Sequence, residues 1–182
     1  YQPPQTVVSV EQTANIGGGT IWKKAALDEV VQIAKANGLI THMDGARLLN
    51  ACVATKISAR DMAAGWDSAW IDFSKGLGAP IGGVIAGSRE FIDNVWRWKQ
   101  RLGGSMRQAG ICAAACVYAL DHHVERLADA ARHNGLGYLL LGRHEAMPAL
   151  LFHLFWHRAG QRIGRRAFDR RILETAHAIE LR

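Results

Sequence analysis

The sequence predicts an α/β fold in which a mostly parallel sheet is flanked by helices. Three observations lead there. Short β-branched or apolar runs alternate with longer stretches of helical periodicity. A strand–helix–strand order opens the chain, which requires a parallel pair joined by a right-handed crossover. The 182 residues, 49% of them hydrophobic, suffice to enclose one core.

The elements follow in order. Residues 6–10 are β-branched and read as a short buried strand. Gly17-Gly18-Gly19 makes a loop before residues 24–37, where Leu27, Val30, Val31 and Ala34 recur at helical spacing and Asn37-Gly38 supplies the stop. Residues 39–42 form the next strand. Ser58 caps a short helix over 59–64, ended by Gly65. Residues 66–73 and 82–86 read as strands joined by a turn too short for a crossover, hence antiparallel. Ser88 caps a helix over 89–100. An alanine-rich helix spans 109–120 after the break at Gly103-Gly104, and a further helix is expected over 124–141 despite Gly135 and Gly137. From Arg143 the texture changes: Phe152, Phe155 and Trp156 cluster with His153 and His157, and six arginines follow between Arg158 and Arg171. Phe168, Ile172, Ala176 and Ile179 still keep helical spacing there.

Composition narrows the function classes. No run of 18 apolar residues occurs, so a membrane span is not expected. Tyr1-Gln2-Pro3-Pro4 shows no signal-peptide pattern, and the missing initiating methionine leads us to expect a truncated or processed product. Cys52, Cys112 and Cys116 make no disulfide framework and fit a reducing, cytoplasmic setting; Cys112 and Cys116, one helical turn apart, read as buried small hydrophobes rather than metal ligands. The formal charge of +6 comes largely from the late arginines, which suit a solvated helix face better than a nucleic-acid surface because no nucleic-acid motif accompanies them.

Two positions carry chemistry. Lys75 follows the apolar run Ala69-Trp70-Ile71 and enters the turn Gly76-Leu77-Gly78-Ala79-Pro80. A strand that delivers one lysine into close-approach backbone suits an amine that forms a Schiff base. The glycines fit neither nucleotide motif: three residues follow the second glycine where a dinucleotide fingerprint needs two, and Lys75 precedes the glycines, unlike a phosphate-loop lysine. Exposed N–H groups there can still cradle phosphate. Asp44 stands beyond a strand end, before Gly45, in the carboxyl-end crevice where open α/β sheets bind ligands. An acid placed there can keep a pyridine nitrogen protonated. Capping the turn or pairing with Arg47 is its structural alternative. Arg47, three residues on, can clamp a carboxylate through two parallel bonds. His42 shapes the pocket or sits hydrogen-bonded in the core, and Glu11 and Thr13 end the first strand near the same edge.

Glu11-Gln12-Thr13, Gly17-Gly18, His42-Met43-Asp44-Gly45-Ala46-Arg47-Leu48-Leu49-Asn50-Ala51, Ser74-Lys75-Gly76-Leu77-Gly78-Ala79-Pro80 and Leu102-Gly103-Gly104-Ser105-Met106-Arg107-Gln108-Ala109-Gly110 together resemble threonine aldolases of the β-eliminating lyase family, in the same order and at matching separations. The resemblance covers about residues 6–142. It implies a partial large domain of a pyridoxal-phosphate fold-type-I enzyme over residues 1–142, followed by an atypical basic helical tail over 143–182. It implies pyridoxal 5'-phosphate as cofactor, a small amino-acid substrate, and a homodimer or homotetramer for the complete enzyme, with no metal, nucleic acid or membrane involved. Lys75 would be the Schiff-base lysine, Asp44 the contact of the pyridine nitrogen, and Arg47 would lie at the cofactor oxygen and substrate end. Arg107 resembles a position tied to the phosphate site at the subunit boundary. The family's upstream glycine–threonine phosphate loop and ring-stacking histidine have no counterpart here, and residues 143–182 match no part of its small domain, so the chain resembles an interior fragment.

Three functions are therefore expected of such a chain: aldol cleavage of a β-hydroxy-α-amino acid, with β-elimination as its chemical neighbour; cofactor binding without turnover; or assembly through the alanine-rich helices and Trp96 and Trp98.

Overall fold

The computed structural model describes residues 4–132. The tail over 143–182 and the expected helix beyond residue 132 lie outside the described residues. Four strands form one sheet in the order β1 (Val7–Glu11), β2 (Ile40–Gly45), β3 (Ser68–Asp72) and β4 (Gly83–Gly87). The first three run parallel and β4 pairs antiparallel with β3, as the short connection requires. Helix α1 (Lys24–Ala36) makes the β1–β2 crossover, and Leu39 N–H donates to the Ala34 carbonyl (2.9 Å) across the Asn37-Gly38 stop.

Strand alternation sorts the two faces. Val10, Met43, Ala69 and Ala86 are register partners across all four strands, and each is buried. They pack with Leu27 and Val31 of α1, Leu48 and Ala51 of α2 (Leu48–Thr55), Met62 of α3 (Ala59–Met62), and Trp66. The opposite face carries a second row, Glu11, Asp44, Trp70 and Ile85, all half-buried. The core therefore lies on one side of the sheet and the polar row on the other.

Two expectations are corrected. Strand β2 runs three residues past the expected end, so Asp44 lies within it rather than beyond it. Its extra length is held by pairing of Asp44 with both Glu11 and Trp70. Helix α2 was not anticipated: Leu48-Leu49-Asn50-Ala51-Cys52-Val53 is apolar on nearly all sides, so no periodic polar face marks it.

Side-chain caps behave as read. Ser58 Oγ accepts from Asp61 N–H (3.0 Å) and Ser88 Oγ from Phe91 N–H (3.2 Å), the latter opening α4 (Arg89–Arg101). Helix α5 (Ala109–His122) carries Cys116 into the core, while Cys112 is only half-buried. Burial pushes the Cys52 thiol up to about 12, and burial aided by Cys112 and Asp72 pushes Cys116 up to about 11. Both are thus poor nucleophiles. Helix α6 (Leu127–Arg132) begins later than expected and packs on α2. No described helix is long and apolar enough to cross a membrane.

Candidate active site

The carboxyl ends of β1, β2 and β3 meet at one edge, and the polar residues gather there. Gln12 ties the first two ends together. Its N–H donates to the Asp44 carbonyl (2.7 Å), and its own carbonyl accepts from Arg47 N–H (3.2 Å). The Gln12 side chain turns inward, bonding Trp22 N–H and carbonyl (3.1 and 3.2 Å). Asp44 is held by its strand on either side, and its Oδ1 accepts from Ala46 N–H (3.1 Å). This is the turn-capping bond anticipated as the structural alternative, and it leaves Oδ2 with no hydrogen bond among the described residues. Glu11, beside Asp44 on the same face, accepts from Asn15 N–H through Oε2 (2.8 Å). The Thr13 hydroxyl is buried and has no hydrogen-bond partner among the described residues.

Lys75 follows β3 by three residues. Its Nζ lies 3.5 Å from Asp72 Oδ2, and 5.8 Å from the centre of the Trp70 ring. Asp72 divides its oxygens: Oδ1 takes both the Ser74 N–H (2.8 Å) and hydroxyl (2.6 Å), leaving Oδ2 for the amine. Trp70 is the register neighbour of Asp44, so its strand links the position of the acid to that of the amine. Neither Asp72 nor Trp70 was given a role from sequence. The two-residue step from Trp70 to Asp72, which puts both on one strand face, was the available signal; the i−3 spacing of Asp72 to Lys75 fixes no geometry in a loop.

Arg47 precedes α2 and borders a small, solvent-open depression together with Gly45, Asn50, Ile71, Asp72 and Gly76. The structure thus brings Asp44, Arg47 and Lys75 to one end of the sheet. It does not bring Arg107 there: that residue is exposed on the connection between α4 and α5, and no contact among the described residues joins it to the other three.

His42 lies two residues before Asp44 on the same face, its Nδ1 2.8 Å from Ser68 Oγ. Burial pushes its pKa below the usual 6.5, against the Asp44 carboxylate, which pulls it upward. The folded protein therefore binds fewer protons at His42 than the unfolded chain does. Stability is fully present above the usual 6.5 and declines as pH falls through the lowered value. We expect His42→Gln to remove this component. Urea midpoints of the parent chain and the variant should diverge as pH is lowered from about 7 to about 5, the parent losing more. Parallel midpoints would refute it.

Fold and site together define an α/β segment whose acid, guanidinium and amine converge at the carboxyl edge of a parallel sheet. The sequence model of the β-eliminating lyase family matches residues 1–141, and the chain belongs to that family. It is 39% identical over 123 residues to a low-specificity L-threonine aldolase of Escherichia coli, covering 68% of this chain and 36% of that protein. An alanine racemase of Cochliobolus carbonum is 38% identical over 120 residues, covering 66% and 30%. The crystal structure of a candidate L-allo-threonine aldolase from Listeria monocytogenes superimposes with a TM-score of 0.64 at 26% identity, covering 71% of this chain and 36% of the other. The chain spans about a third of the length of the curated relatives it matches.

Proposed function

We propose that the protein carrying this chain is a pyridoxal-phosphate-dependent aldehyde-lyase that cleaves a β-hydroxy-α-amino acid, such as threonine, to glycine and an aldehyde. One observation carries the reading: Asp44 and Lys75 stand at the same end of adjacent parallel strands, and Trp70 is register partner of the one and ring neighbour of the other, in a chain 39% identical over 123 residues to a threonine aldolase.

The residues present fit the cofactor. An acid with one oxygen outside the turn bond suits a protonated ring nitrogen, and an amine over the neighbouring indole suits the aldehyde end. The buried Thr13 hydroxyl adds an unused donor near that edge. When bound, pyridoxal phosphate supplies the electron sink that makes bonds at Cα labile. Asp44 would keep the ring nitrogen charged, Lys75 would hold the cofactor and could move a proton at its amine, and Arg47 would orient the oxygen-rich end of the substrate. Arg107 completes a phosphate site with a second subunit in a homodimer or homotetramer. Residues 1–142 form part of the cofactor-binding domain and residues 143–182 a separate basic tail, in a cytoplasmic protein.

The relative named as an alanine racemase matches the same segment, so the test separates reaction types. Full-length protein supplied with pyridoxal phosphate is incubated with each threonine stereoisomer and with each alanine enantiomer. Glycine plus acetaldehyde is the expected product. Interconversion of alanine enantiomers alone would favour racemisation, 2-oxobutyrate plus ammonia from threonine would indicate elimination, and no product would reject catalysis by these residues.

A further inference from the structure

We propose that the connection between α5 and α6 straps down the loop that carries Lys75, with His123 a positioning residue that acts on the lysine through the Leu77 carbonyl. The proposal rests on the reading of Lys75 as the cofactor-bearing amine.

The lysine begins a tight turn, closed by Gly78 N–H donating to the Lys75 carbonyl (2.9 Å). Three successive positions of that turn are each met by a residue of the connection or of the start of α6. At Leu77, the His123 ring donates through Nδ1 to the carbonyl (2.5 Å), and Leu77 itself is buried. At Gly78, whose φ is +68°, a Cβ would lie 2.7 Å from Arg126 Nη2. At Gly76, a Cβ would lie 2.9 Å from Asn50 Oδ1 of α2 and 3.0 Å from Leu127 Cδ2. Gly78 thus leaves the space that Arg126 fills and also needs the left-handed backbone, while Gly76 leaves room shared by Leu127 and Asn50.

The strap is itself held in place. His123 N–H donates to the Ala119 carbonyl (2.9 Å), extending α5 by one residue. Its ring meets Tyr118 edge-on at 5.5 Å, and Leu127 is buried in the core. Since the Leu77 carbonyl lies inside the turn that starts at Lys75, releasing it loosens the backbone from which the amine projects. Small displacements of a reacting group cost rate steeply, whereas substrate contacts made elsewhere are unaffected.

Full-length protein and its His123→Ala, His123→Asn and Arg126→Ala variants provide the test. In the cofactor-free state, hydrogen exchange over residues 73–81 should quicken about tenfold in His123→Ala, the loss of one part-buried hydrogen bond. With cofactor loaded, kcat should fall about tenfold while KM stays within about twofold. His123→Asn, whose side-chain amide can donate from near the Nδ1 position, should restore both. Arg126→Ala removes an exposed side chain and should quicken exchange about threefold even if His123→Ala does not fold. Exchange like that of the parent in every folded variant overturns the strap. Faster exchange with unchanged kcat, or no rescue by asparagine, overturns the positioning role. Borohydride reduction of loaded parent protein, with the adduct mapped to a lysine other than Lys75, would sink the cofactor reading while leaving the exchange result standing.

Discussion

Lys75→Ala in the full-length protein is expected to lower kcat by about a thousandfold or more, because one side chain supplies both the cofactor attachment and a proton carrier. Stability should change by less than about 1 kcal/mol, since the amine is partly exposed and its single ion pair is partly screened. Asp72 loses the amine but keeps both bonds from Ser74, so the turn retains its anchor. Leu77 and Ala79 remain buried beside it. Binding of pyridoxal phosphate is not the decisive readout, because ring and phosphate contacts persist without the covalent link. Wild-type turnover in a folded Lys75→Ala protein would remove the lysine assignment and the reaction built on it.

The reason Lys75 and Asp44 could be found in the sequence is that each follows an apolar run and precedes a glycine, a pattern that survives without knowledge of the fold. The antiparallel turn between β3 and β4 was equally legible, because ten residues leave no room for a crossover. Helix α2 was not, since a segment buried on most sides carries no amphipathic period. Asp72 was overlooked although it stands one helical turn's length from Lys75: in a loop, i−3 spacing carries no fixed geometry. Contact of His123 with Leu77 spans 46 residues, and no local pattern encodes such a meeting. Local chemistry was therefore readable, and the tertiary contacts that place it were not. Arg107 illustrates the limit from the other side, since its motif is recognisable while its side chain is exposed and makes no hydrogen bond or ion pair with Asp44, Arg47 or Lys75 among the described residues.

The strands that carry the acid and the lysine approach each other closely at Gly45, and this sets the most damaging small substitution. A Cβ at Gly45 would lie 2.4 Å from the Trp70 carbonyl oxygen and 3.1 Å from Leu48 Cβ. The first contact is with backbone of the neighbouring strand, in register where Gly45 pairs with Ile71, so no rotamer change relieves it. Relief requires β2 and β3 to part or α2 to shift. Parting the strands breaks the ladder between Met43 and Ile71 and exposes part of the Met43–Ala69 row, while shifting α2 disturbs buried Leu48 and Ala51. We expect Gly45→Ala to destabilise the fold by about 3 kcal/mol or more, read from the urea midpoint. Gly17→Ala is the control: its nearest neighbours would be at an ordinary 3.4 Å, and its cost should stay within about 0.5 kcal/mol. Any Gly45→Ala protein that folds should also lose activity out of proportion to its folded fraction, because the clash falls between the residue after Asp44 and the Trp70 backbone, and so displaces the acid relative to the strand that leads to Lys75. Equal stability of the two alanine variants would show that β2 and β3 are not as closely apposed as this geometry requires.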